Sequence, residues 1–137
     1  MDTITEVLEI QYDVLEDIIA HSEALKPIES CGYLAGRDLH IEKLYKMTNI
    51  DNEPDHFTFE PKEQFAAVKD ARSLGLNLMA VYHSHPESPA RPSEEDMRLL
   101  KDPNMIYVIV SLMGPEPDLK AYRIQNENVT LLNLKII

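Results

Sequence analysis

Apolar residues recur along this chain with two periods, near 3.6 and near 2, and the switches between them outline the elements. Thr5 to Ile10 alternates and reads as a short strand. Asp13 to Leu25 sets Val14, Leu15, Ile18, Ile19 and Leu25 on one stripe, the spacing of an amphipathic helix, which Pro27 ends. Ser30 to Ala35 and Leu39 to Ile50 are apolar-rich runs on either side of Gly36-Arg37-Asp38, a pattern that predicts a hairpin. Asp51 to Asp55 reads as a loop and Phe57 to Phe59 as a short strand. Pro61 then opens a second helix, with Phe65, Val68, Ala71 and Leu74, joined by Ala67, as its buried face and Gly75 as its cap.

Leu76 to His85 is a strand that begins apolar and ends polar. Pro86 to Pro92 carries three prolines without periodicity and is a loop. Ser93 to Lys101 predicts a short helix stopped by Pro103. Met105 to Leu112 is the most apolar strand and is expected at the centre of the sheet; Leu119 to Ile124 and Val129 to Ile137 are further strands. Strands and helices mix without strict alternation, so the expected class is α/β or α+β, a mixed sheet flanked by helices. With 137 residues and neither repeat nor linker, residues 1–137 are expected to form a single domain.

Composition narrows the functional classes. The formal net charge is −11 and the 13 basic residues form no cluster, which argues against nucleic-acid binding. No apolar run approaches the roughly 20 residues of a membrane helix. The acidic start, Met1 to Glu6, does not resemble a signal peptide, so a cytoplasmic protein is expected. A lone cysteine, Cys31, permits no intrachain disulfide.

The chemistry concentrates in His83-Ser84-His85-Pro86, Ser93 and Asp96. Side chains at i and i+2 of a strand share a face, so His83 and His85 point the same way at a strand end. Two imidazoles side by side suit one zinc ion, although a His pair at a strand end is more often only polar. Asp96 falls in the first turn of the following helix, from where its carboxylate can supply a third ligand. Two His and one carboxylate leave a fourth position open, the mark of a catalytic site. Ser93 and Asp96 also fit a capping box, and Ser93 can cap the helix while presenting its hydroxyl to the site. A catalytic zinc needs a general base. Glu29, just ahead of an apolar strand, is a candidate, though most glutamates are solvated surface.

These residues together resemble the JAMM motif of the JAB/MPN-plus metallopeptidases. Glu29-Ser30-Cys31-Gly32-Tyr33-Leu34-Ala35-Gly36 looks like the family's first motif, and Ser88-Pro89-Ala90-Arg91-Pro92-Ser93 is similar to the small stand-alone prokaryotic members. The resemblance implies an MPN domain with a cytidine-deaminase-like layout and one Zn2+ per chain. His83, His85 and Asp96 would be the ligands, Glu29 the general base, and Ser93 the donor to the oxyanion. The implied reaction is hydrolysis of the peptide or isopeptide bond after the C-terminal Gly-Gly of a ubiquitin-like or sulfur-carrier protein.

Three rivals were weighed. A zinc deaminase needs Pro-Cys-x-x-Cys, which a single cysteine forbids. A thiol protease built on Cys31 is disfavoured because that residue lies in an apolar strand pattern. A non-catalytic MPN-type module that grips a ubiquitin-like tail or a partner subunit is disfavoured by the filled motif. His21, His40 and His56 are assigned to the surface, and Leu132, Leu134 and Ile136 to a core strand.

Overall fold

In a computed structural model, which describes residues 6–137, seven strands and three helices follow one another as β1 (Val7–Ile10), α1 (Tyr12–Leu25), β2 (Cys31–Arg37), β3 (His40–Met47), α2 (Pro61–Ser73), β4 (Asn77–His85), α3 (Glu94–Leu99), β5 (Ile106–Ser111), β6 (Asp118–Gln125) and β7 (Asn128–Ile136). The sheet is mixed: β1 runs parallel to β3 and β7, and β4 parallel to β5, while the other pairs are antiparallel. Helices flank it, as the sequence predicts. One feature is new. β1 pairs on both sides, so the order β1-β3-β2-β4-β5-β6-β7 closes into a barrel, with no open edge among the described residues.

Strand parity sorts the core. Leu34, Ala80, Tyr82, Val108 and Val110 gather on one face with Val14 and Ile18 of α1. Cys31, Tyr33, Val81 and Tyr107 gather on the other, against Ala67 of α2, Met97 of α3 and Leu100 at its end. All six residues of β5 are buried between β4 and β6, in keeping with its expected central place. Leu132 joins the core and Leu134 packs against it as expected, whereas Ile136, expected with them, is exposed.

Several local expectations shift. The hairpin turns at Asp38-Leu39, both at positive φ (52° and 60°), a two-residue loop whose twist matches the strands. Gly36 is inside β2 instead, at a bulge, where a Cβ would collide with the His40 carbonyl. Helix α2 buries Ala67 and Ala71, leaving Phe65 66% exposed and Leu74 48% exposed, because small residues let the helix lie close to the sheet. Gly75, at φ 70°, ends it as expected. Phe57–Phe59 makes only a single bridge, Phe59 to Asn49. The first expected strand begins at Val7, and Thr5 lies outside the described residues.

Gly32 fixes how closely β3 and β4 flank β2. A Cβ there would stand 2.4 Å from both the Tyr45 carbonyl and the Tyr82 ring. Tyr82 is fully buried across it and its hydroxyl meets His21 Nδ1 at 2.6 Å. His21 is therefore half-buried and engaged, a correction to its surface assignment. His56 and His40 are likewise half-buried, each beside a carboxylate.

Candidate metal centre

His83 follows Val81 in the two-residue repeat of β4, so both imidazoles emerge on the face covered by α2 and α3. Helix α3 then delivers Asp96. Its capping box is complete: Ser93 Oγ accepts from the Asp96 N–H at 3.0 Å, and Asp96 Oδ2 accepts from the Ser93 N–H at 3.0 Å. The same Oδ2 stands 3.1 Å from His83 Nε2 and 3.0 Å from His85 Nε2, and the two Nε2 atoms are 3.2 Å apart. His83, His85 and Asp96 are all buried and could together hold a metal ion. Ser93 is partly exposed, with its hydroxyl proton uncommitted to the cap.

The donor set can be tested for fit. A carbonyl only accepts, so the 2.7 Å contact of His85 Nδ1 with the Pro89 carbonyl puts a proton on Nδ1. In the neutral ring Nε2 then carries a lone pair, aimed at a carboxylate oxygen. Lone pair against lone pair is repulsive unless a cation lies between them. Ligand atoms at about 2.0–2.1 Å from a tetrahedral zinc stand roughly 3.3–3.4 Å from one another. The observed triangle of 3.0–3.2 Å is slightly tighter and of the right kind. The residues fit zinc.

The electrostatics agree. Burial would raise the Asp96 carboxyl, but contacts with His83, His85 and the Ser93 N–H outweigh it and hold the carboxyl well below its ordinary range. Burial keeps His83 neutral against the pull of Asp96. Phe57 stacks on the His83 ring with centroids 5.0 Å apart, while His83 Nδ1 has no hydrogen-bond partner.

Glu29 reaches this face through strand register. Cys31 pairs with His83, and the Ser84 N–H donates to the Ser30 carbonyl at 3.1 Å, so the same register sets Glu29 opposite His85. Glu29 is 2% exposed and its Oε1 has no partner. Burial, then the charges of Asp96 and Asp55, push its carboxyl up to about 9. Cys31 is fully buried and burial pushes its thiol up to about 12, which removes it from nucleophilic chemistry.

A groove of about 280 Å³ adjoins Asp96, lined by Phe57, Phe59, Gln64, Leu99 and Leu100. A larger cavity, about 610 Å³, lies between α1, β3 and α2 and shares no residue with the site. A second ligand-like group, Glu53, Asp55 and His56, is largely exposed, and its His56 is already held by Asp51 at 3.0 Å.

Sequence reasoning missed Asn49. It is buried, its amide donates to the Glu29 and His56 carbonyls at 3.1 and 3.0 Å, and its Oδ1 accepts from the Asp51 and Thr58 N–H groups. No pattern around an isolated Asn at a strand end signals this.

Comparison with known proteins places this geometry. Residues 12–125 match the family of prokaryotic homologs of the JAB domain, and the chain belongs to that family. It is 34% identical over 130 residues to the CysO-cysteine peptidase of Mycobacterium tuberculosis, covering 90% of this chain and 87% of that one. It is 30% identical over 101 residues to the desampylase of Pyrococcus furiosus, covering 74% and 70%. A solution structure of a Desulfitobacterium hafniense protein superposes with a TM-score of 0.88 at 38% identity, covering 95% of this chain and 92% of that one. The fold is the JAB/MPN fold and the chain is a hydrolase of the peptidase type.

Proposed function

We propose that this chain is a single-domain zinc metallopeptidase that cleaves the peptide or isopeptide bond after the C-terminal Gly-Gly of a ubiquitin-like or sulfur-carrier protein. The observation that carries the reading is the triangle of two Nε2 atoms and one carboxylate oxygen, with the unpartnered carboxyl of Glu29 on the same face. Its relatives' names, a CysO-cysteine peptidase and a desampylase, support the substrate class.

His83, His85 and Asp96 would hold the metal. When bound, zinc supplies Lewis acidity at the scissile carbonyl and acidifies water toward a pKa of about 7. Burial is the largest cause that raises Glu29; cancelling the Asp96 charge with a cation would remove the second and move the carboxyl down from about 9, toward the carboxylate form that a base needs. Glu29 then takes a proton from the attacking water and returns it to the leaving amine, a role worth roughly 10²–10⁴-fold. The Ser93 hydroxyl, accepting at the cap, donates to the developing oxyanion. The groove between Phe57 and Leu99 offers an extended tail a path to Asp96.

The test is cleavage of a sulfur-carrier protein extended past its Gly-Gly terminus. Wild type should release the extension; Glu29→Gln should keep zinc and lose activity; Asp96→Ala should lose both. Turnover by Glu29→Gln at the wild-type rate removes Glu29 as base. A zinc-loaded wild type that binds the substrate without turning it over returns the site to the binding-module reading.

A further inference from the structure

The peptide unit that follows Glu29 is held at both ends by side chains. Its carbonyl, that of Glu29, accepts from Asn49 Nδ2 at 3.1 Å. Its N–H, that of Ser30, donates to Ser84 Oγ at 2.8 Å. The two partners come from opposite sides. Asn49 lies just past β3, and Ser84 lies in β4 between the two histidines. We infer that Asn49 and Ser84 form a bracket that positions the Glu29 carboxylate over the metal centre, and that both are positioning residues for the hydrolytic reaction. This rests on the reading of Glu29 as general base.

Each arm is itself braced. Asn49 uses its whole hydrogen-bonding capacity, two donors and two acceptor sites, on the carbonyls of Glu29 and His56 and the N–H groups of Asp51 and Thr58. It therefore ties the Glu29 backbone to the segment that carries Phe57, the ring stacked on His83. Ser84 faces the other side of the sheet from the two imidazoles, as alternation requires. There its neighbour Ser30 continues through a 2.8 Å hydroxyl contact to Ser22 of α1, which bonds the Ile18 carbonyl. Ser22, Ser30 and Ser84 are fully buried in an otherwise apolar region. A buried polar seam is costly unless satisfied, and here its contacts run to the peptide unit that follows Glu29.

The need for a bracket follows from the chain's path. The β2–β4 ladder ends at the Cys31–His83 pair, and Glu29 stands two residues beyond it, outside any strand. Backbone bonds to Glu53 and Ser84 hold this stretch too. Only the side-chain pair fixes the rotation of the 29–30 peptide plane, and that rotation sets where the Glu29 side chain points. A misplacement of about 1 Å in a reacting group can cost on the order of 10²-fold in rate.

The experiment is a set of double-mutant cycles in the zinc-loaded full chain, with zinc content and thermal melting checked for every variant. Ser84→Ala removes the acceptor for the Ser30 N–H. Asn49→Asp keeps the acceptor for Asp51 and Thr58 and removes the donors to the Glu29 and His56 carbonyls. Because Ser84 is fully buried, Asn49→Asp gives an independent reading where Ser84→Ala lowers the yield of folded protein. Expected is a fall in kcat of roughly 10- to 100-fold with KM little changed and zinc retained. In a Glu29→Gln background the same substitutions should cost nothing further, since the group they position is already gone. Equal losses in both backgrounds, or wild-type kcat in both bracket variants, would overturn the bracket while leaving the base in place. A fully active Glu29→Gln overturns the base assignment, and the bracket with it.

Discussion

His85 donates its Nδ1–H to the Pro89 carbonyl at 2.7 Å, a contact that spans four residues and commits the other ring nitrogen to the centre. The Pro86–Pro92 loop is thus part of the candidate metal centre. It is anchored in turn by the Ser111 hydroxyl on the Ser88 carbonyl at 2.6 Å and the Tyr122 hydroxyl on the Ala90 carbonyl at 2.5 Å. Groups that orient a ligand from behind typically contribute 10–100-fold in metal affinity. Tyr122→Phe and Ser111→Ala should each weaken zinc binding by about tenfold, read by competition with a chelator. Unchanged affinity in both would show that the loop holds its shape without them.

Metal content is the direct check on the ligand set. Purified wild type should carry about one zinc per chain, and His85→Ala far less, by elemental mass spectrometry. His83→Ala should behave like His85→Ala, since both Nε2 atoms face the same carboxylate oxygen. Full zinc in either variant would take that histidine out of the set.

The raised Glu29 carboxyl predicts a stability slope in zinc-free protein. Burial, then Asp96 and Asp55, push it up to about 9 from its ordinary 4.5. The folded chain therefore keeps this proton after the unfolded chain has lost it. Stability from this group is full below pH 4.5 and falls as pH rises toward 9. In excess chelator, the melting temperature of wild type should drop more than that of Glu29→Gln between about pH 5 and about pH 8.5. Parallel curves would show that the carboxyl is already ionised in the zinc-free fold.

What the sequence made legible was local. His83, His85 and Asp96 could be placed by strand parity and by the first turn of α3, because both are short-range rules. Glu29 was legible only weakly: its neighbours His85 and Asp96 lie more than fifty positions away, so position alone made it one candidate among many surface glutamates, and the family resemblance gave it its role. Asn49 carried no signal, since its four partners are brought together by the loop closing on Glu29. Barrel closure was hidden for the same reason. Val7 pairs with Asn133, near the opposite end of the chain, and no periodicity encodes such a partner. The face of α2 is legible in part: Ala71 and Ala67 are buried as the spacing predicts, whereas apolar size also suggests Phe65 and Leu74, which close approach of the alanines to the sheet leaves exposed.

Cys31 lies in the candidate first motif but is not nucleophilic. It is fully buried beside the Met47 carbonyl, and burial pushes its thiol up to about 12, so thiolate is scarce at neutral pH. Cys31→Ser should keep activity within about threefold, and iodoacetamide should leave the folded wild type active. A loss beyond tenfold in a folded, zinc-loaded variant would bring the thiol back into the mechanism.

Ser93 serves two purposes, and they can be separated. As N-cap of α3 it accepts from the Asp96 N–H, so Ser93→Ala should lower stability by about 1 kcal/mol. As oxyanion donor it should also be worth roughly 10²–10³-fold in kcat. Loosening the cap frees Asp96 as well, because the Ser93 N–H holds Asp96 Oδ2 from the same turn. Zinc content must therefore be measured beside the rate. Ser93→Asp restores an acceptor at the cap but has no proton to donate at neutral pH. It should recover the melting temperature without recovering kcat. Recovery of both would mean that Ser93 acts on the reaction only through the helix it caps.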